Sequence, residues 1–207
     1  MTPRAQHAPQ AYGQESNPRT ALLDATERLL LEEGYGSVSA RRVATEAGLT
    51  LGLVHYYFGQ MENLLLEVFR RRADWMLQRE AEALASDQPL WALWDITREY
   101  ANTPLNTEFL ALGNHFGGIH DEVCAYSTRF RQLQYDLVSK SLAGRHVDTT
   151  VWPPDGVLVL IDGMSRFLGS ETMYGMSFGH RQAATIVERL ITDLEGPRKR
   201  RRRRTAT

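Results

Sequence analysis

The stretch EAGLTLGLVHYYFGQMENLL, residues 46–65, places a glycine between two short helical patterns and sets three consecutive aromatic side chains behind it. Gly48 is the residue type most easily placed at positive φ, and Thr50 can cap a new helix. Residues 40–47 before the bend, and those through Tyr57 after it, each suit about two turns of helix. Two short helices joined by a glycine-containing bend predict a helix-turn-helix.

The helix after the bend divides its side chains between a core and an outward face. Ala44, Leu49 and Val54 suit a small core, and we expect Tyr57 and Phe58 to wedge into it. A helix in this position can enter the major groove of DNA, where hydroxyls contact phosphate, apolar groups touch thymine methyls and glycine permits close approach. We therefore predict that double-stranded DNA is contacted by Thr50, Leu51, Gly52, Leu53, His55 and Tyr56.

The residues before the bend predict a first helix. Asn17 is a good N-cap, Pro18 suits the first helical position, and Gly34 suits a C-cap, while Ser39 can cap the second helix. Residues 1–72 carry eight basic and eight acidic side chains, so this region has no diffuse positive field. Phosphate contacts must then come from a few placed groups. The candidates are Arg19, Arg41 and Arg42.

The rest of the chain is helical in pattern. A long fourth helix is expected over residues 62–84, followed by five segments separated by proline or glycine: 90–101, 107–116, 119–142, 155–174 and 180–194. No segment alternates apolar and polar residues as a half-buried strand does. We therefore predict an all-α protein with a three-helix helix-turn-helix domain over 17–61 and a helical bundle over 62–195. Residues 1–16 are expected to form a flexible arm and residues 196–207 a disordered basic tail.

The composition excludes several classes of protein. With 43% hydrophobic and 24% charged residues among 207, the chain is of ordinary globular composition. Its longest apolar runs, such as 157–161, have five residues, far fewer than the roughly 20 of a membrane span, and its N-terminus lacks the apolar segment of a secretory signal. We expect a cytoplasmic protein that does not contact a membrane. The single cysteine, Cys124, excludes an intramolecular disulfide, and we expect no metal and no cofactor.

The net charge of -1 conceals an uneven distribution. Residues 198–204 are all basic, and the remainder of the chain carries 17 basic and 25 acidic side chains, a net charge of -8. Such a run often contacts polyanions, and it is equally typical of a solvated terminus. Both interpretations stay open.

The segment ALLDATERLLLEEGYGSVSARRVATEAGLTLGLVHYYFGQMENLL, residues 21–65, resembles the N-terminal domain of the TetR family of bacterial transcriptional regulators. The likeness follows the Leu-Leu-Asp-Ala start, the Glu-Gly-Tyr exit from helix one, the Val-Ala-x-x-Ala-Gly of helix two and the glycine-leucine and tyrosine-phenylalanine pairs of helix three. It covers about a quarter of the chain. Where the family usually has Tyr, Lys and Lys, this sequence has His55, Leu51 and Met61.

The resemblance implies a ligand-responsive, homodimeric repressor that binds a palindromic operator and is released by a hydrophobic small molecule. In this family the C-terminal bundle holds the ligand and the last two helices form the dimer interface. Apolar stripes suggest the interface residues Leu158, Ile161, Leu168, Ile186, Val187, Leu190 and Ile191, although such stripes also suit an intrachain core. A mixture of large apolar and polar side chains suggests a ligand pocket formed by Trp91, Trp94, Phe109, His115, Phe116, Tyr126, Phe130 and Met164, although aromatic residues at helical spacing are more often core.

Signals for catalysis are weak. The sequence has no phosphate-binding glycine motif and no complete nucleophile elbow, so we do not expect an enzyme. Two alternatives are a helical enzyme and a protein-binding scaffold, each carrying a vestigial helix-turn-helix. Turnover that survives mutation of helix three would favour the enzyme, and a lack of salt-dependent DNA affinity would favour the scaffold.

Overall fold

The computed structural model describes residues 17–101 and 103–199, so the predicted arm over residues 1–16 and residues 200–207 of the predicted tail lie outside the described residues. Within these ranges the fold is all-α, as predicted, with one turn of 3-10 helix at Tyr35–Ser37. The nine helices of this part are α1 (Pro18–Glu33), α2 (Ala40–Glu46), α3 (Leu51–Phe58), α4 (Met61–Leu84), α5 (Pro89–Ala101), α6 (Pro104–Gly113), α7 (Gly117–Gly144), α8 (Pro154–Met173) and α9 (His180–Glu195). None of them has both the length and the apolar character that a membrane span requires.

Proline starts helices α5, α6 and α8. The first helical position suits proline because its missing amide would have no partner inside the helix. The prediction that α6 begins at Thr107 is therefore wrong, since Pro104 starts this helix and does not precede a break. Gly117 and Gly118 were expected to separate two helices, but they lie in the first turn of α7.

The chain divides into two compact units, with residues 17–72 and 107–123 in the first and residues 73–106 and 124–199 in the second. The dividing points fall within α4 and α7, so the units differ from the predicted division at residues 61 and 62. Leu64, Leu65 and Val68 of α4 are fully buried and belong to the first unit. The apolar start of α4 thus completes the core of α1, α2 and α3.

The first unit is built on α1. Asn17 caps this helix by accepting the Arg19 amide at 3.1 Å, and Gly34 ends it at φ +78°. Arg71 of α4 ties the two helices together, since its guanidinium donates to Asp24 at 2.5 Å and to Glu27 at 2.6 Å. Burial alone would lower the pKa of Arg71, but these two carboxylates outweigh it and raise the pKa above its usual value.

The second unit packs α5 against α8 and α9 around the fully buried Trp94. At the contact of α5 and α8, the Thr97 hydroxyl donates to Ser165 Oγ at 2.8 Å, and the Ser165 hydroxyl donates to the Ile161 carbonyl at 2.9 Å. Both hydroxyls are buried, so this pair satisfies groups that would otherwise destabilise the core.

Most residues of the predicted dimer interface lie in this core. Five of the seven residues are buried inside their own chain, namely Leu158, Ile161, Leu168, Val187 and Ile191. Leu190 is half-buried, and Ile186 is 70% exposed. The predicted set is therefore wrong as an exposed surface, because the apolar stripes of α8 and α9 pack on α5 within one chain.

The prediction of a disordered tail is wrong for residues 196–199, which lie along the start of α5. The Trp91 indole N–H donates to the Gly196 carbonyl and the Gln88 amide to the Pro197 carbonyl, each at 3.0 Å. Arg198 stacks on Trp91 at 5.3 Å and pairs with Asp95. Buried Glu195, the residue before this segment, holds it against α5, because the Glu195 carboxylate accepts hydrogen bonds from the Leu90 and Trp91 amides at the N-terminus of that helix.

Candidate nucleic-acid interface

The bend between α2 and α3 has the geometry that the sequence predicts. Ser39 caps α2 by accepting the Arg42 amide at 3.3 Å, and Gly48 adopts φ +67°. The Leu49 amide then donates to the Ala44 carbonyl at 2.8 Å and closes the turn. Thr50 stands at the N-cap of α3 in an extended conformation, but its hydroxyl makes no capping hydrogen bond. That hydroxyl is therefore available to another acceptor or donor.

One face of α3 points outward. Val54 and Phe58, four residues apart on one face, are buried, whereas Tyr56 is 79% and Leu51 39% exposed. Leu53 was predicted to lie outward, but its side chain is half-buried. It adjoins buried Val54 on the helix. The exposed positions of this face, together with the N-cap, are Thr50, Leu51, Gly52, His55 and Tyr56.

Gly52 leaves the surface of α3 open near its N-terminus. A Cβ at this position would meet only the Thr50 Oγ1, at 3.9 Å, so a larger side chain would project outward without a clash inside the chain.

The C-terminal end of α3 is held by a different set of contacts. His55 Nδ1 lies 3.2 Å from the Gly59 carbonyl, and the Asn63 amide donates to the Phe58 carbonyl at 2.9 Å.

The three arginines predicted to contact phosphate differ in their surroundings. Arg41 is exposed and makes no ion pair within residues 17–101 and 103–199, whereas Arg42 donates to Glu33 at 2.6 Å. Arg19 pairs with Glu67 and stacks over Phe58 at 5.6 Å from the ring centroid. Exposed ion pairs of this kind are worth about 0–1 kcal/mol, so a phosphate can replace either carboxylate at little cost.

Residues of α6 and of the turn before α7 also contact the helix-turn-helix unit. Glu108 accepts the Tyr35 amide at 3.2 Å just after α1, and the Tyr35 ring meets Phe116 edge-on at 6.0 Å. The Phe109 ring lies 5.1 Å from Phe69 of α4. Phe109, His115 and Phe116, predicted to line a ligand pocket, thus belong to the first unit, and His115 is exposed.

The other predicted pocket residues lie in the second unit and mostly form its core. Trp91 and Trp94 are buried against α8 and α9, and Tyr126 is buried with its hydroxyl donating to Asp74 at 2.6 Å. Met164 is half-buried at the edge of that core. Phe130 lines a cleft of about 390 Å³ between α7 and α8. The predicted set therefore does not form one pocket, and Phe130 alone among its members lines this cleft.

The cleft between α7 and α8, here called the α7–α8 cleft, has a charged floor. Buried Asp162 accepts Arg131 Nη2 at 3.1 Å and Arg166 Nε at 2.9 Å. Gln134 donates to Glu80 of α4, which is also buried. Burial raises the pKa of Glu80 to about 7, helped by the charge of Asp162 and opposed by the hydrogen bond from Gln134 and the two arginines. The residues that line the α7–α8 cleft are Ser127, Phe130, Arg131, Gln134, Val159, Asp162, Gly163 and Arg166.

Sequence reasoning missed this cleft. The signal that could have revealed it is Asp162, a single acidic residue directly after the apolar run 157–161. A second cleft, of about 380 Å³, is bordered by Arg98, Leu168, His180 and Glu188. Among residues 17–101 and 103–199, no group of three or more His, Cys, Asp or Glu side chains is arranged to hold a metal ion.

Comparison with known proteins places these features in context. The sequence profile of the bacterial regulatory proteins of the tetR family matches residues 22–68. BetI, a helix-turn-helix transcriptional regulator of Agrobacterium fabrum, is 41% identical over 58 residues, which cover 28% of this chain and 28% of BetI. The chain thus matches little more than a quarter of the length of this curated relative.

Solved structures extend the likeness of the fold over most of the chain. A TetR transcription regulator of Haloarcula marismortui superposes with a TM-score of 0.67 at 19% identity, covering 86% of this chain and 97% of that one. A transcriptional regulator of Saccharomonospora viridis, solved in complex with choline, gives 0.65 at 19% identity over 82% and 95%. These similarities concern the fold, while the sequence match concerns α1 to α4. The match to the tetR family of bacterial regulatory proteins thus covers residues 22–68, and over the rest of the chain the likeness is one of fold.

Proposed function

We propose that this protein is a transcriptional regulator that binds double-stranded DNA as a homodimer and represses transcription until a small molecule releases it. The observation that carries the proposal is the outward face of α3, where Gly52, His55 and Tyr56 are exposed around an unobstructed backbone. Such a face suits the major groove, with Thr50 and Tyr56 hydroxyls on phosphate and Leu51 on thymine methyls. Arg41 adds a cation that is not already paired within the described chain.

Homodimer formation is supported by an apolar surface on the last two helices. Leu160 and Phe167 of α8 and Tyr174 directly after it are spaced seven residues apart and are 54%, 55% and 78% exposed. Ile186 of α9 is exposed as well. We call these four residues the outer α8–α9 surface, and we expect a second copy to cover it about a twofold axis. A dimer could then place two α3 helices in successive major grooves about 34 Å apart.

The outer α8–α9 surface can be tested by replacing Phe167 with aspartate. A buried charge at the twofold contact should shift the protein from dimer to monomer in sedimentation equilibrium. Val151→Asp is the matched control, since Val151 is 62% exposed in the turn before α8 and lies outside this surface. A Phe167→Asp protein that sediments as the wild type does would exclude this interface.

Ligand control is supported by two clefts of about 380 and 390 Å³ in the second unit, a volume that suits small organic molecules. The regulator of Saccharomonospora viridis with a similar fold was solved with choline bound. In the present chain α7 lines one of these clefts, and its first turns belong to the unit that contains Tyr35 and α3. A ligand that shifts α7 would therefore alter the support of the DNA-reading helix, and its differential affinity for the two states would set the loss of DNA affinity.

The proposal is tested by DNA binding. Genomic fragments selected by the purified protein supply the operator, and fluorescence anisotropy then gives its affinity at several salt concentrations. Tyr56→Ala should remove about 1 kcal/mol per subunit and weaken a dimer about 30-fold. Tyr135→Ala, at an exposed tyrosine of α7, should leave affinity unchanged. Gly52→Phe should abolish binding, because the new side chain blocks approach while the fold has room for it.

Two results would contradict this function. Gly52→Phe protein that binds the operator as tightly as wild type would show that α3 does not read DNA. A wild-type protein that selects no fragment and shows no salt-dependent affinity for DNA would favour a scaffold that binds only protein.

A further inference from the structure

We propose that the α7–α8 cleft binds an amphipathic carboxylate, with the carboxylate held between Arg131 and Arg166 and the apolar part resting on Phe130 and Val159. The inference deepens the proposed function by naming the chemical class of the effector, and it rests on that function only for the release of DNA. Binding of the carboxylate itself can be measured without DNA.

The two guanidinium groups are already in place for an anion. Both donate to the same oxygen, Oδ2 of buried Asp162, and they use one nitrogen each, Nη2 of Arg131 and Nε of Arg166. A guanidinium carries five N–H donors, so most donors of both groups remain for another acceptor. Their side chains are 45% and 64% exposed, which leaves these donors accessible from the cleft. Asp162 thus positions the arginines, and less side-chain entropy is lost when a carboxylate binds.

The charge of the cleft favours an anion over a cation. Two guanidinium groups face one carboxylate, that of Asp162, at the surface of the cleft. Glu80 lies deeper, behind Gln134, and its pKa of about 7 leaves it only partly ionised near neutral pH. The local charge is therefore positive. A carboxylate can form paired hydrogen bonds with planar guanidinium groups, which a neutral amide cannot reproduce with the same strength.

The rest of the cleft suits an apolar group of modest size. Phe130 is half-buried along one wall, and Val159 is 57% exposed on the other. Gly163 lies beside Asp162, and a Cβ added there would meet no atom within 4 Å, so the cleft is open at this point. A volume of about 390 Å³ accommodates an aromatic ring or a short acyl chain.

The test is isothermal titration calorimetry on the full chain with two pairs of probes, phenylacetate with phenylacetamide and octanoate with octanamide. At least one carboxylate should bind in the millimolar range or tighter and at least about 10-fold more tightly than its amide. Arg131→Gln and Arg166→Gln should each reduce that affinity at least about 10-fold, since they keep most of the side chain and remove the charge. Arg129→Gln is the matched control, because Arg129 is exposed on the same helix and stacks on Tyr126 at 5.2 Å outside the cleft.

A second variant guards against a change in folding. Ser127→Phe places a bulky side chain on the α7 side of the cleft, outside the outer α8–α9 surface, and leaves the residues of the Asp162 ion pairs unchanged, so it should abolish carboxylate binding with an unchanged circular dichroism spectrum. The inference is overturned if neither carboxylate binds, if the amides bind as tightly, or if folded arginine variants keep wild-type affinity.

The failure of this inference can be told apart from the failure of the proposed function. The affinity of wild type and of Arg166→Gln for operator DNA is measured by anisotropy in the presence and absence of the carboxylate. Release of DNA in the wild type alone supports both conclusions. A protein that binds carboxylate but selects no DNA retains the site and loses the proposed function, whereas a protein that binds DNA but no carboxylate retains the function and loses the site.

Discussion

Replacing Glu80 by glutamine is expected to stabilise the second unit at neutral and alkaline pH. Glu80 is buried, with 2% of its surface exposed, and the side chain of Gln134 donates to its carboxylate. Arg131 and Arg166 attract the charge, but Asp162 repels it and burial removes its water. The net effect raises the pKa of Glu80 from 4.5 to about 7, so the charged form is disfavoured in the folded protein. Glutamine keeps the size and hydrogen-bonding capacity of the neutral acid without titrating.

The magnitude follows from the shift in pKa. The folded protein holds a proton on Glu80 up to about pH 7, whereas the unfolded chain releases it near 4.5. The stabilisation from this proton is therefore fully present below the unfolded pKa and is lost as the pH rises through the folded pKa. At about 1.4 kcal/mol per unit, the loss between pH 4.5 and pH 8 reaches about 3 kcal/mol, and glutamine should avoid it.

The assay is urea unfolding at pH 5 and pH 8, followed by tryptophan fluorescence. All four tryptophans, Trp75, Trp91, Trp94 and Trp152, belong to the second unit, so the signal reports on the unit that contains Glu80. Protein concentration is held constant because a dimer would gain stability with concentration. Glu82→Gln is the matched control, since Glu82 is an exposed carboxylate of the same helix.

The expected result is a free energy of unfolding at pH 8 that is higher by about 3 kcal/mol in Glu80→Gln than in wild type, with little difference at pH 5. Equal pH dependence in Glu80→Gln and wild type would refute the assignment of this titration to Glu80. A similar gain in Glu82→Gln would show that the effect comes from overall charge and not from burial.

Two further predictions concern helix ends. Ser39→Ala removes the acceptor for the Arg42 amide at the start of α2 and should lower the free energy of unfolding by about 1 kcal/mol, measured by urea denaturation followed by circular dichroism. Glu195→Ala removes the acceptor of the Leu90 and Trp91 amides, and leaving these groups unpaired should cost about 1–3 kcal/mol. Tryptophan fluorescence should show this loss, and an unchanged unfolding midpoint would mean that water replaces the carboxylate.

The helix-turn-helix could be predicted because its determinants are local. Asn17, Ser39 and Gly48 each act on residues within a few positions of themselves, and the structure places all three where their chemistry predicts. The alternation of buried and exposed residues on α3 also follows from helical spacing, although Leu53 shows that residues near the boundary of the buried face are not resolved by the pattern alone.

The functions of the apolar stripes in α8 and α9 could not be read in the same way. Leu158 and Ile161 are as apolar as Leu160, yet the first two are buried within the chain and the third is exposed. Helical periodicity shows which residues share a face, but it does not show whether that face meets α5 or a second copy of the chain. For the same reason the pocket prediction was wrong. It grouped Trp94 with Phe116, but Trp94 lies in the core of the second unit and Phe116 belongs to the first.

The sequence by itself determined that the chain is helical and that a bend at Gly48 joins two short capped helices, because caps, turns and helical periods are set by neighbours along the chain. Only the tertiary structure decided which apolar faces are buried, that residues 196–199 lie along α5, and that Glu80, Asp162 and two arginines from three helices meet at one cleft. Such groups are up to 86 residues apart in sequence, from position 80 to position 166. Their meeting depends on how helices pack, and residue types alone do not encode that packing in a form that can be read locally.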